Sequence, residues 1–385
     1  MCLGKMKRNW ILVGVVALTI LMGQTGQASD GIWIDRAELQ AVGQGMASSF
    51  YPSKEKLIRY AEKRLKQPIP LITDKETVPE SGDKHDYTSL ATYYWPDQSK
   101  PDGLPYVQHD GLANPERNDE SCYDIKRMQR MMDQIRDLAR GYAVSGQQEY
   151  ADRAVEIASA WFINPETRMN PNLEHAQLVP GRNDGRSTGI IDTVSLIDVV
   201  DSLNLLQGAE AYTPERQKAV KAWFRDYTDW LLHSEKGQKE GQARNNHGIW
   251  YDAQVAVYAQ FAGQPAIARK IIKAVPEKRL AKQIAADGSM PLELARTRPM
   301  NYSLYVLRAY LTLARVGSQI GVDLYDARTA RGQGLTDAID FILPYAEGKA
   351  VLPKKDIVEW KPGSFLMALH LANQHYQRKD YEPQP

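Results

Sequence analysis

Gly146-Gln147-Gln148-Glu149-Tyr150-Ala151-Asp152-Arg153 and Gly263-Gln264-Pro265-Ala266-Ile267-Ala268-Arg269-Lys270 are two copies of one pattern. Each opens on glycine-glutamine, carries an apolar residue and then alanine in the same two places, and ends on a cation. Each follows an apolar helical run and begins another. Glycine suits the residue that terminates a helix in the left-handed conformation, so each copy reads as the turn of an antiparallel helix hairpin. Hairpins repeated in series stack into a curved array whose concave face suits a long polymer. The expected fold class is all-α: antiparallel helix hairpins in series, forming a helical toroid or solenoid.

The sequence on either side agrees. Met128, Met131, Met132, Ile135, Leu138, Ala139 and Tyr142 recur at helix spacing before the first copy. Ala151, Ala154, Val155, Ala158 and Phe162 do so after it. Further apolar-periodic runs cover about 189–206, 214–232, 248–262, 265–284, 301–320, 335–346 and 363–377. Residues 53–66 read as a helix capped by Ser53, and 29–50 as a short polar lead. No run alternates as a strand would. The helical period lapses between Pro68 and Asn118, where prolines recur around Tyr93-Tyr94-Trp95. An irregular stretch of that length is expected to be a functional wall or lid.

The first residues have the marks of a leader. Lys5, Lys7 and Arg8 precede an apolar run from Trp10 to Met22, too short to span a membrane comfortably, and Gly26-Gln27-Ala28 is a small-x-small cleavage site. The expected organisation is a signal peptide at 1–28 and one toroid domain at 29–385, with a proline- and aromatic-rich wall at 68–118. The expected compartment is the periplasm or the outside of the cell. Cleavage removes three cations and no acids, taking the net charge from +1 to −2. That balance favours neither nucleic acid nor a membrane surface. Of the two cysteines only Cys122 then remains, so no internal disulfide can form. Apolar content of 43% supports a substantial core. Tyrosine and tryptophan far outnumber phenylalanine (20 and 8 against 6), a bias toward rings with a polar edge that suits hydroxylated ligands.

Four segments are more polar than a helical scaffold requires. Asn172-Leu173-Glu174-His175-Ala176-Gln177 is the first. The second is Pro180-Gly181-Arg182-Asn183-Asp184-Gly185-Arg186-Ser187-Thr188-Gly189, leading into Asp192. The third, Ala243-Arg244-Asn245-Asn246-His247-Gly248-Ile249-Trp250-Tyr251-Asp252, lies where a glycine- and charge-rich loop from Lys236 to Arg244 meets an apolar helix. The fourth runs from Leu292-Glu293 through Arg296 and Arg298 to Tyr302. The glycine-rich segment lacks the Lys-Ser/Thr ending of a phosphate cradle; its arginines suit a carboxylate-bearing ligand. No H-E-x-x-H or H-x-x-E-H pattern occurs, so no catalytic metal and no cofactor are expected. Glu174, Asp184, Asp192, Asp252 and Glu293 are the acids a glycoside hydrolase could draw on, and none stands out as a pair. A non-catalytic carbohydrate-binding protein is the other alternative.

Amide, imidazole, guanidinium and phenol together suit β-elimination beside a uronic acid. The C5 proton is weakly acidic because the adjacent carboxylate is already charged. Amide and guanidinium donors neutralise that carboxylate and steady the enolate-like dianion. A histidine or tyrosine removes the proton, and a phenol protonates the departing O4. Neighbouring arginines are expected to lower the tyrosine's pKa.

With those residues in place the sequence resembles the alginate lyase family of polysaccharide lyases over roughly residues 90–345. The resemblance rests on the Asn-Asn-His run, Asn172–Gln177, and the Leu-Glu-Leu-Ala-Arg…Tyr stretch, in that family's arrangement. It implies an incomplete α/α toroid and cleavage of 1,4-linked uronic acid polymers, either alginate (especially polymannuronate) or glucuronan, leaving 4,5-unsaturated ends. By the same resemblance Asn246 neutralises the uronate carboxylate, and His247 neutralises it as well or acts as base. Tyr302 is the acid, and also the base where the C5 proton and O4 lie on one face. Arg296 holds Tyr302 and the carboxylate, with Arg298 as the alternative counterpart. Tyr94, Trp95, His175, Gln177, Arg182, Asn183, Arg186, Asn245, Trp250 and Arg298 are the expected substrate-binding residues. The expected partner is an acidic polysaccharide; the oligomeric state is left open.

Overall fold

The computed structural model describes residues 31–48 and 50–381, and the leader expected at 1–28 lies outside them. Helices α1 (Arg36–Gly43) and α2 (Lys54–Leu65) come first. The wall follows with strands β1 (Thr88–Leu90), β2 (Tyr94–Trp95) and β3 (Val107–Gln108). Next are α3 (Ile125–Ser145), α4 (Gln148–Phe162), strand β4 (His175–Leu178), α5 (Leu196–Leu205), α6 (Pro214–His233) and α7 (Glu235–Gly241). The chain continues through α8 (Asn246–Phe261), α9 (Pro265–Val275), a π turn at Pro276–Leu280, α10 (Ala281–Gln283) and α11 (Pro291–Leu294). It ends in α12 (Pro299–Gln319), α13 (Leu335–Ala346) and α14 (Pro362–Tyr376).

Both repeat copies are hairpin turns. Gly146 (φ 73°) ends α3 before α4, and Gly263 (φ 79°) separates α8 from α9. A Cβ at either glycine would meet nothing within 4 Å, so the backbone angle, not space, demands glycine. Helix neighbours follow one another around an arc, α2–α3–α5–α8–α12–α14, with α4, α6, α9 and α13 packed against it. This is the incomplete toroid. Asp35 at the start of α1 accepts from Gln374 of α14 at 2.6 Å, so side chains draw the two ends of the arc together.

The supposed polar lead is instead a plug. Ile32, Trp33 and Ile34 are buried. The Trp33 indole donates to Thr312 (2.8 Å), lies under the Arg308 guanidinium (3.7 Å) and meets Trp250 edge-on at 6.3 Å. Both oxygens of buried Asp201 accept from this segment, at 2.7 Å from Ile32 N and 2.6 Å from Trp33 N. One hydrophobic cluster joins Ile32 to Tyr381. Helix α8 crosses its middle and is buried on nearly every side, so its apolar residues fall on all faces and not in one stripe.

The wall is less irregular than its sequence suggests. β1 pairs in parallel with β4, and β2 pairs antiparallel with β3. These pairs are too short to show alternation in the sequence. The buried Lys75 ammonium anchors the wall, donating to Asp124 at the head of α3 (2.7 Å) and to Asp86 O (2.8 Å). Arg127 completes the triad on Asp124 at 2.8 Å. Desolvation offsets most of the attraction in such a group, yet removing one partner costs about 3–5 kcal/mol. The triad therefore fixes where the wall stands more than it stabilises the fold.

Candidate active site

A cleft of about 710 Å³ opens between the wall and the N-terminal ends of α8 and α12. Thr92, Tyr93, Tyr94, Gln108 and Asp110 line it from the wall; Asn245, Asn246, His247, Arg296, Asn301, Tyr302 and Tyr305 line it from the helices. Gln177, Arg186, Thr188 and Ile191 form part of its lining between them. Two helix N-termini here present partial positive charge, which suits an anionic ligand.

Helix α8 begins at the Asn-Asn-His run. Asn245 is its N-cap, accepting from His247 N at 3.3 Å. Asn246 is buried against Glu293, to which its backbone N–H donates at 2.8 Å and its side-chain amide at 2.9 Å. Burial pushes the Glu293 carboxyl above its ordinary range, against the pull of those two bonds. His247 Nδ1 is 2.6 Å from the carboxylate of buried Glu240.

Across the cleft the Tyr302 hydroxyl lies 2.8 Å from Arg296 Nη2 and 2.8 Å from the Tyr93 hydroxyl. The guanidinium also stacks 3.9 Å from the Tyr302 ring. Arg296 and not Arg298 is thus the arginine at Tyr302. Arg298 is the N-cap of α12, outside the cleft lining and within electrostatic reach of Asp356. The expected lowering of the tyrosine's pKa does not occur. Burial first, and then the bond with Tyr93, push the Tyr302 phenol well above its ordinary value, and Arg296 opposes them only weakly. Asp110 takes the same guanidinium at 2.5 Å. That bond in turn holds Asp110 below the usual carboxylate range.

Arg186 differs from Arg296. No carboxylate lies within ion-pair distance of it among the described residues. It donates to Gln177 O (3.1 Å) and Gln177 Oε1 (2.9 Å) and lies 4.8 Å over the Tyr94 ring. Gln177 has a left-handed backbone (φ 50°), unusual for glutamine. Its amide also donates to Asp192 at 2.8 Å, so the residue is locked from both sides.

The structure therefore brings eight of the expected site residues to one cleft: Asn245, Asn246, His247, Arg296, Tyr302, Tyr94, Gln177 and Arg186. Six lie elsewhere. Trp250, one turn into α8, is fully buried between Trp33 and Tyr305. Trp95 donates to Leu112 O outside the cleft lining. His175 is buried between Asp184 (3.4 Å) and Asp86 (3.9 Å). Asn183 bridges the backbone of Val179, and Arg182 stands 6.0 Å from the Tyr94 ring at the rim. Arg298 is the sixth.

Sequence reasoning missed Glu240, Tyr93 and Asp110. Asp110 and the Tyr93 hydroxyl reach their partners only through long-range packing. Glu240 was hidden by the expected loop at Lys236–Arg244, because residues Glu235–Gly241 form α7. The helix is concealed by Gly237 and Gly241, which permit close docking. A Cβ at Gly237 would lie 2.0 Å from Leu231 O, and one at Gly241 2.9 Å from the Tyr251 ring.

The class of protein is a polysaccharide lyase on a helical toroid. The chain belongs to the alginate lyase family, whose sequence model matches residues 71–352. It is similar to an alginate lyase from Bacteroides ovatus of known crystal structure, with 36% identity over 92% of this chain and 94% of that one and a TM-score of 0.86. Alginate lyase A1-III from Sphingomonas species A1 shares the fold at 13% identity, covering 92% and 89% of the two chains with a TM-score of 0.55. A histidine-to-alanine variant of A1-III complexed with a tetrasaccharide matches at 13% identity over the same shares, with a TM-score of 0.60. No curated protein sequence matches the chain.

Proposed function

We propose that this lyase cleaves a 1,4-linked uronan, either alginate (polymannuronate above all) or a glucuronan, by β-elimination without a metal. One observation carries the reading. The Tyr302 hydroxyl and the Arg296 guanidinium meet at 2.8 Å in the same cleft as Asn246 and His247. Asn246 and His247 receive the uronate carboxylate, supplying the neutralisation that a metal would otherwise provide. Tyr302, kept protonated by its surroundings, is suited to deliver a proton to O4. Where the C5 proton lies on the same face, Tyr302 first releases its own proton to solvent; the phenolate, with Arg296 beside it, then takes the C5 proton and returns it to O4. Arg186, with no acid of its own, is suited to the carboxylate of a neighbouring sugar, and Tyr94 to its ring.

The acids a hydrolase would need are engaged elsewhere. Asp252 is buried on Arg279 (2.7 Å), Glu174 holds Lys236 (2.7 Å) and Asp184 stands by His175. Asp192 accepts from Ser89 at 2.6 Å, and Glu293 is tied to Asn246. Among the residues lining the cleft, Asp110 is the one carboxylate. Action in the periplasm or outside the cell is part of the proposal. It is supported by the leader-like residues 5–28.

The test is incubation with pure polymannuronate, polyguluronate and polyglucuronate. Ultraviolet absorbance from an unsaturated product is expected on at least one of them. Chain shortening with saturated ends, or no cleavage of any of the three, would sink the reading.

A further inference from the structure

Three polar groups of the cleft have a carboxylate behind them: Glu293 behind Asn246, Asp110 on Arg296, and Glu240 under His247. Two of these have a second task. Glu293 also takes the Asn246 backbone N–H and so caps α8. Asp110 also accepts from Thr297 at 2.9 Å, joining the wall to the α11–α12 link. Glu240 has none. It is 2% exposed, and its only side-chain hydrogen bond among the described residues goes to His247. Burying a carboxylate for one bond is a poor way to stabilise a helix, because desolvation offsets the gain.

Much of the local structure nevertheless serves to put Glu240 there. Gly237 and Gly241 let α7 dock. Arg279 then pins the α7–α8 link, donating to Gly241 O at 2.8 Å and Ala243 O at 2.5 Å. Gly248 makes room for it, since a Cβ there would lie 2.3 Å from Arg279 Nη1. The His247 backbone is already fixed by the Asn245 cap. What remains free is the rotation of its ring and the choice of protonated nitrogen.

We propose that Glu240 is a positioning residue of the elimination, acting through His247. It accepts the Nδ1–H, fixing tautomer and ring plane, so that Nε2 is the nitrogen offered to the substrate. A neutral ring then presents a lone pair to a proton, and a cationic ring presents an N–H to the uronate carboxylate. Neither arrangement survives if the ring turns over. This rests on the role proposed for His247 above.

The test uses the full chain labelled with ¹⁵N-histidine, together with turnover on the uronan that the wild type cleaves. Wild-type His247, when neutral, is expected to carry its proton on Nδ1. Glu240→Ala is expected to lose that preference and to lower kcat by about 100-fold, the scale of a lost acid–base contribution, with KM changing less than about threefold. Glu240→Gln preserves shape should the alanine variant fail to fold. Its amide offers the ring either oxygen or NH₂, so its activity should follow whichever tautomer the spectrum shows. A neutral wild-type ring protonated on Nε2 would overturn the proposal, as would a folded Glu240→Ala with turnover within about threefold of wild type. If the wild type cleaves no uronan, the functional reading fails, while the spectrum still decides whether Glu240 sets the tautomer.

Discussion

The two sides of the cleft are built by opposite means. On the helical side, Asn246, His247 and Tyr302 stand in the first turns of α8 and α12, two helices buried along most of their length. On the wall side, Tyr93 and Asp110 belong to loops held by two-residue strands and by the buried Lys75–Asp124 pair. Rigid helix ends place reacting groups closely. Loops draped over them can supply partners and shape. The contacts follow that division. Tyr93 and Asp110 line the cleft and bond to Tyr302 and Arg296, so the wall tunes groups that the helices present.

Activity measurements can break this division of labour. Tyr302→Phe should have the largest effect, lowering kcat by about a thousandfold, within the range for a lost acid–base group, with thermal unfolding unchanged. Turnover near normal would remove the helical side from the chemistry. Asp110→Asn should cost about tenfold in kcat/KM, because Arg296 loses the charge-assisted bond that orients it. Tyr93→Phe deletes one hydrogen bond worth about 1 kcal/mol and should lower kcat about fivefold. A Tyr93→Phe defect as deep as that of Tyr302→Phe would move the chemistry onto the wall.

The smallest effect lies far from the cleft and reads the toroid alone. Burial raises Asp201 to about 7, against the bonds from Ile32 and Trp33. A carboxyl raised by folding binds its proton more tightly in the native state. Its contribution is therefore complete below the ordinary carboxylate range and is lost as pH rises toward 7. The thermal midpoint should fall as pH rises from roughly 4 to 7. In Asp201→Asn the fall should be shallower than in the wild type, while kcat at neutral pH stays unchanged.

Most of the scaffold was legible because it rests on local periodicity. The runs at 214–232, 248–262 and 301–320 coincide with α6, α8 and α12 within a few residues, and both glycine turns fall at helix ends. The plug at Ile32–Ile34 escaped because three apolar residues have no period. The expected loop before Asn245 hid α7 because its glycines, needed for close docking, also look like breakers. In the site, residues adjacent in sequence did not share a fate. Trp95 leaves the cleft that Tyr94 lines, and Trp250 enters the core three residues after His247. Direction within a strand or helix turn decides this, and composition does not carry it.

By itself the sequence determined the helix hairpins, the toroid and the types of polar residue carried at its inner helix ends, since hydrophobic period and capping act over a few residues. Only the tertiary structure decided which of those residues meet. Arg296 rather than Arg298 touches Tyr302, Asp110 reaches across from the wall to the same guanidinium, and Glu240 stands beneath His247. These pairs join residues up to 186 positions apart. Burial and charge compensation there depend on how whole elements pack, which no local pattern encodes.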